Sequence, residues 1–484
     1  MRQRKGWLAA WLIVGLLAML VAGCSGKSDK TTGQTVASAT PTQTNKADTS
    51  DKSDKSDKKV NLRLYTVSAL DKDEFDRILP EWNKLHPNIG VELVVLTGAD
   101  SWDKIRIGIA GGEKIDIAIM ERDTFRDKAS KMYLKLNDLM KKDNLNYLQE
   151  FGAYGRATMI GDDIYGIAKI LSPSVVIYNQ SVLDKAGVPL PDENTWTFDD
   201  YFNWIAKLTQ KSADGKSTVF GGMHWQGALK GILDLAIYGG WDIVTADGKP
   251  NINSPILKKA ADLYYKAIFT DKSMPSNADV NATKLNAVYG TLSGELGSTL
   301  AASNNMLGLD DWKVTGQMTQ EADDKNWIRM AKMPRWDASS PANQITTIVT
   351  GYSITKTSEH PDEAYQFLKW YTTKGLELSA KVAKRIPAWT KADSKQLFQD
   401  WRFYKDKNGT PVEGKSRNEM YKKIVDPAQV AIFPKYRADY EYSSRMLEEL
   451  TKELTLVLAD EKKVEPALAD AQKAAQAIYD KEKK

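Results

Sequence analysis

Between Val60 and Met120 the sequence alternates two periodicities, and that alternation constrains the fold more than any other feature of the chain. VNLRLYT (Val60 to Thr66) has the two-residue repeat of a strand, whereas DEFDRILPEWNKLHP (Asp73 to Pro87) spaces Phe75, Ile78, Leu79, Trp82 and Leu85 along one face of a helix. Pro80 predicts a kink in that helix. GVELVVL (Gly90 to Leu96) reads as a second strand, a helix is expected around Trp102 to Ala110, and IDIAIM (Ile115 to Met120) is a short apolar third strand. Strands separated by helices predict an α/β fold with a mainly parallel sheet covered on both faces. Ligands of such sheets bind beyond the carboxyl ends of the strands, so recognition is expected in the loops after Thr66 and Met120. The roughly 425 residues from Val60 onward suffice for two domains.

What precedes Val60 is of another kind. Arg2, Arg4 and Lys5 form a basic start, Gly6 to Ala22 an apolar run, and Ala22 and Gly23 a small-residue cleavage site, the order of a secretory signal over residues 1–23. VAGC (Val21 to Cys24) resembles the bacterial lipobox, in which the cysteine is acylated and becomes the first residue of the mature chain. The competing reading is an uncleaved membrane anchor, since the apolar run approaches the roughly 20 residues that span a bilayer. A plain anchor has no need of a cysteine at that boundary, and both readings place the rest of the chain outside the cytoplasm. Cys24 is the only cysteine in 484 residues, so no intramolecular disulfide forms and stability must come from buried apolar surface. Residues Ser25 to Lys59 contain no aromatic side chain and end in DKSDKSDKK, the composition of a solvated tether.

Charge and motif content exclude several classes. The formal net charge is +4, of which the basic start carries three and the tether an excess of two lysines, leaving −1 on the remainder. That is no footprint for nucleic acid. His86, His224 and His360 are dispersed, and no paired Cys/His spacing supports a metal site, so no metal or other cofactor is expected. The adjacent pairs Asp162-Asp163, Asp199-Asp200 and Asp310-Asp311 read as turns and helix starts rather than as two carboxylates held across a bond.

Several ordered segments resemble one family. HPNIGVELV, IDIAIMERDTF (Ile115 to Phe125), DDIYGIAKILSPSVVIYNQSVLDKAGV (Asp162 to Val188), NTWTFDDYFNWIAKLT (Asn194 to Thr209), AIYGGWDIVTADGKPNINSP (Ala236 to Pro255) and GYSITKTSEHPDEAYQFLKWYTT (Gly351 to Thr373) are similar, in that order, to the extracellular solute-binding proteins of carbohydrate ABC importers, the group that includes maltose-binding protein. The resemblance implies a periplasmic-binding-protein-like fold: two α/β lobes joined by hinge segments with a ligand cleft between them. Lobe one is implied at 60–169 plus 301–375, and lobe two at 170–300 plus 376–484. It further implies a monomeric, non-enzymatic receptor that binds a sugar or oligosaccharide, hands it to ABC permease subunits, and meets the membrane only through its lipid anchor. Two departures stand out: LSGELGSTLAASN (Leu292 to Asn304) where the family has a more regular strand, and a long insert at Lys391 to Lys422. The alternative is a surface lipoprotein that hydrolyses or scaffolds polysaccharide.

A sugar offers hydroxyls and apolar C–H faces, so its pocket needs oriented polar groups and flat aromatic platforms. Trp225 and Trp241 lie beside glycines, FGGMHW and YGGW, where backbone can approach a ligand, and each reads equally as platform or core. Trp82, Trp204 and Trp370 have helical spacing and are assigned to packing, and Trp196 opens its helix. The resemblance adds Arg385 and Trp389 in KRIPAW, a late loop facing the cleft, and Asp123 in MERDTF, where relatives have a sugar-binding aspartate. Asp123 reads equally as a helix cap. Thr124 shares its loop, Ser68 follows the first strand, Ser172 lies at the hinge crossing, and Tyr352 is placed to present its ring to the cleft.

Overall fold

The computed structural model describes residues 59–483, apart from residues 99, 121–124, 320, 323, 324, 326, 406–409, 425–429 and 436–439. The signal, Cys24, the tether, Asp123 and Thr124 lie outside the described residues.

The opening unit forms as its periodicity predicts. Strand β1 (Val60–Thr66) pairs in parallel with β2 (Ile89–Val95) along its whole length, and through Leu64 and Tyr65 with β3 (Ile117–Ile119). Between β1 and β2, helix α1 (Leu70–Leu85) buries Phe75, Ile78 and Trp82 against the sheet, and the Trp82 indole N–H donates to the Ile89 carbonyl at 2.8 Å. The helix runs through Pro80 as one element and stops before Pro87, whose ring disfavours helical backbone at His86. Leu85, expected on the buried face, is instead 62% exposed in the last turn. Helix α2 (Ser101–Ala110) links β2 to β3.

Beyond β3 the sheet departs from the mainly parallel arrangement expected. A return strand, Gln344–Ile354, lies antiparallel to β3, and a long crossing strand, Ile167–Asn179, lies antiparallel to the return strand. The nine-stranded sheet is therefore mixed, running β2, β1, β3, return strand, crossing strand, Ile328–Ala331, with further short strands bonded at its sides. Apolar periodicity reports which faces are buried and is silent on direction. Here the chain passes from one core to the other in extended segments instead of helical crossovers, which reverses the pairing.

The crossing strand belongs to both halves of the sheet. Ile167 to Pro173 pair with the return strand, whereas Ser174 to Tyr178 pair with Ser298–Ala302 and Val176 to Asn179 with Ile328–Ala331. Pro173, which has no N–H to donate, falls at the changeover. A second irregularity lies nearer the start: Thr350 faces Ile170 but Gly351 faces Ala168, so Lys169 has no partner in the return strand. Gly351 is required there, because a Cβ would meet the Thr158 methyl at 2.8 Å and the Ile167 carbonyl at 3.0 Å.

Two apolar clusters follow from this division. The first gathers Leu62, Leu64, Trp82, Ile117, Phe367, Leu368 and Tyr371 around the β1 half of the sheet. The second gathers Trp196, Tyr201, Trp241, Ile243 and Tyr264, closed by the C-terminal helices Ser443–Leu458 and Val464–Glu482 through Met446, Leu450, Leu454, Leu468 and Ala471. Within LSGELGSTLAASN the strand is Ser298–Ala302. Phe398, Trp401, Met420 and Ile424 of the insert and its flank join the first cluster, and buried Arg417 pairs with Asp310 at 2.7 Å. Asp199-Asp200 and Asp310-Asp311 are helix starts as expected, Asp200 completing a capping box with Thr197.

Candidate functional site

A cavity of about 210 Å³ opens at the carboxyl ends of β1 and β3. Its wall is Val67, Ser68 and Asp71 after β1, Trp102 on α2, Ile119 and Met120 at the end of β3, Lys169 and Ile170 on the crossing strand, Thr350 and Tyr352 on the return strand, and Arg385 before Ile386–Pro387. The crossing strand and the return strand, which both pass between the two cores, thus meet at one cavity. A larger groove, about 410 Å³, runs past His86, Tyr365 and Trp370. It lies at the other end of α1, about 20 Å from the strand ends by helix rise, and none of the crossing segments reaches it.

The cavity floor is a polar group of two carboxylates and two cations. Asp71, in the first turn of α1 where the helix dipole favours an anion, accepts from the Thr66 hydroxyl at 2.5 Å, from the Tyr352 hydroxyl, and from Arg385 Nη2 at 3.0 Å. Arg385 Nη2 also donates to Ser68 Oγ at 3.3 Å. Behind it, Lys169 Nζ donates to the Tyr371 hydroxyl at 2.6 Å, stands 3.8 Å from the centre of that ring, and forms an ion pair with Glu74 Oε1 at 2.6 Å. That ion pair lies off the hydrogen-bond line, so among the described residues neither Glu74 oxygen accepts a hydrogen bond. Its second oxygen sits 4.0 Å from Arg385 Nε.

Burial alone would raise the Asp71 pKa, but the Lys169 and Arg385 charges, with the Thr66 and Tyr352 hydrogen bonds, bring it below the ordinary aspartate value. Burial and the neighbouring Asp71 charge push the Tyr352 phenol well above its usual range. The floor is therefore an anion held by two cations, with a neutral phenol donating to it. Lys169 points inward because of the bulge: an extra residue in one strand re-aims its side chain, and bulges recur beside sites for that reason.

Of the residues singled out from sequence, Ser68, Tyr352 and Arg385 come together here. Ser172 is half-buried on the crossing strand opposite Ile348, two residues beyond the lining Ile170. Trp225 is half-buried, packs against the first cluster, and donates its backbone N–H to the Leu300 carbonyl. Two platform candidates are packed in the cores. Trp241 is 2% exposed inside the second core, its indole N–H donating to the Asn251 carbonyl at 2.7 Å, so it has no face to offer a ligand in this conformation. Trp389 is packed in the first core, with its N–H on Glu150 Oε2 at 2.7 Å and Lys374 Nζ 4.8 Å from its ring. The tryptophan in the cavity wall is Trp102, which is half-buried.

Asp71, Lys169 and Trp102 were not singled out from sequence. An acidic first turn reads as a helix start, and Trp102 as one more helical aromatic. The available signal was Lys169, a lone cation in the apolar run GIAKIL. Among the described residues no group of three His, Cys, Asp or Glu side chains is placed to hold a metal ion.

Two cores joined by extended crossing segments, with a cavity where those segments meet, define the two-lobe class of binding protein. The comparisons agree with that geometry. The profile of the family described as bacterial extracellular solute-binding protein matches residues 68–377, and the chain belongs to that family. It is 26% identical over 226 residues to the arabinooligosaccharide-binding protein of Bacillus subtilis, a match spanning 45% of either chain. The fold superposes with a TM-score of 0.67 on an ABC substrate-binding protein of Listeria monocytogenes in complex with cycloalternan, at 18% identity over 87% of this chain and 99% of that one. A maltose-bound T. maritima protein, MalE3, gives 0.66 at 15% identity, with 87% and 100% of the chains covered.

Proposed function

We propose that this chain is the receptor of an ABC importer: it captures a sugar or oligosaccharide between its lobes, without catalysis, and delivers it to a membrane permease. The observation that carries the reading is the cavity at the strand ends, lined by the crossing strand and the return strand where they pass between the two cores. A ligand seated there touches the parts of the chain that must bend when the lobes approach, so its contacts favour one lobe arrangement over another. Ser68, Asp71, Arg385 and Tyr352 supply donors and acceptors for hydroxyls, and Trp102 the apolar platform. The relatives that bind arabinooligosaccharide, cycloalternan and maltose support a carbohydrate ligand. Asp71 and Glu74 are each engaged by a cation, which suits a binding floor better than an acid and base poised across a bond.

Cys24 is assigned to the lipid anchor, residues 25–59 to the tether, and the receptor to the outer side of the cell membrane as a monomer. Two or more acyl chains hold a protein stably where one does not. Mass spectrometry of the mature N-terminus is expected to find an acylated Cys24; an unmodified thiol would refute the anchor.

Tryptophan fluorescence of the fragment from Val60 onward, titrated with arabino-, malto- and manno-oligosaccharides, tests the capture reading. A saturable response with compaction in solution scattering is expected. A response confined to amino acids or metal ions, or release of reducing sugar from the oligosaccharides, would overturn it.

A further inference from the structure

The charges around the cavity close on themselves. Lys169 is matched by Glu74 and Arg385 by Asp71, and these side chains are 1%, 0%, 12% and 3% exposed. Both cations that face the cavity are already committed to carboxylates of the chain, and the four sum to zero. The cavity, at about 210 Å³, is smaller than the roughly 300 to 1,000 Å³ that encloses a drug-sized ligand, so it holds one ring of a sugar chain.

Resting on the capture reading above, we infer that this cavity is an end subsite selective for an uncharged sugar ring, and that it rejects uronates. A ligand carboxylate entering it loses its water and finds no free cation among the described residues of the wall. It brings the enclosed group to −1, or it takes Arg385 from Asp71 and leaves that carboxylate buried and uncompensated. A hydroxyl needs only a donor or an acceptor and disturbs neither pair. Ser68 Oγ, which takes only the longer of the two Arg385 Nη2 contacts, is the hydroxyl most readily turned to such a ligand.

The test compares the tightest-binding neutral trisaccharide of the panel with the same trisaccharide oxidised at its primary alcohols to carboxylates, using wild type and Asp71→Asn. The substitution keeps one of the two acceptor oxygens that Thr66 and Arg385 use and moves the group to +1. Wild type is expected to bind the oxidised form at least about tenfold more weakly, the scale of an uncompensated charge contact. Asp71→Asn is expected to narrow or reverse that ratio. Equal binding of the two forms by wild type, or an unchanged ratio in folded Asp71→Asn, would overturn the inference while leaving sugar capture intact. Absence of binding to every neutral sugar would instead strike the capture reading itself. Should Asp71→Asn fail to fold, the wild-type ratio alone decides.

Discussion

Lys169→Met isolates what the buried pair contributes to the fold. At 2.6 Å two unit charges in an effective dielectric of about 20 attract by about 6 kcal/mol. That attraction is opposed by the desolvation of both ions, several kcal/mol each, so the intact pair is close to neutral for stability. Removing only the ammonium changes the balance, because Glu74 is fully buried and no described residue gives it a hydrogen bond. The expected loss is about 3 to 5 kcal/mol, of which the bond to Tyr371 accounts for about 1 kcal/mol. Glu74→Leu/Lys169→Met, which removes both charges, is expected to recover most of it. Urea unfolding followed by fluorescence and by circular dichroism measures the series, with the two probes compared because lobes with separate cores can unfold in separate steps. A single variant within about 1 kcal/mol of wild type, or a double variant no more stable than the single, would refute this account of the floor.

Three further outcomes follow from named contacts. Trp241→Ala is expected to lower stability by about 3 to 5 kcal/mol, the range for an emptied aromatic core site, while the folded protein keeps its sugar affinity; a weakened affinity at full stability would return Trp241 to the site. Trp102→Ala is expected to do the reverse, weakening sugar binding by roughly 1 to 3 kcal/mol with a smaller fall in urea midpoint than Trp241→Ala, because Trp102 is only partly buried against the first core, and unaltered titration curves would remove it as the platform. Because the folded Asp71 pKa is lowered, its contribution is fully present above the unfolded aspartate value near about 4 and is lost as pH falls through the folded value. Acid unfolding monitored below about pH 4 should therefore be less steep in Asp71→Asn than in wild type, and superimposable curves would contradict the pairing.

Local periodicity carried the reading of the first lobe a long way. The two-residue repeat of Val60 to Thr66 and the helical face of Phe75, Ile78 and Trp82 both appear where their spacing places them, because each is set by burial against the immediate neighbour. Strand direction was not legible, since Tyr352 opposite Ile119 looks the same by composition whether the pair runs parallel or antiparallel. The bulge hid Lys169: simple alternation along the crossing strand gives no hint that one residue is left out of the register. A glycine beside a tryptophan does not distinguish platform from core for a related reason. Gly239, two residues before Trp241, admits a neighbouring part of the chain, the Trp336 ring 2.8 Å from where its Cβ would stand. Ser68, Arg385 and Tyr352 line one cavity because loop positions at strand ends and the family's late loop are topological features, which survive errors in side-chain assignment.

The crossing strand that changes partners at Pro173 makes the linkage between the lobes a ribbon instead of a joint. Its thirteen residues are hydrogen-bonded on one side of the changeover to the return strand and on the other to Ser298–Ala302. A turn of one lobe against the other is then absorbed as a change of twist, and neighbouring strands accommodate anything from roughly 10° to 35° without losing their ladder. Such a ribbon resists bending sideways and yields to torsion, so the lobes are confined to a narrow path of relative rotation. Capture along that path orders little that was not already ordered, which spares the complex much of the entropy loss that two freely jointed halves would suffer.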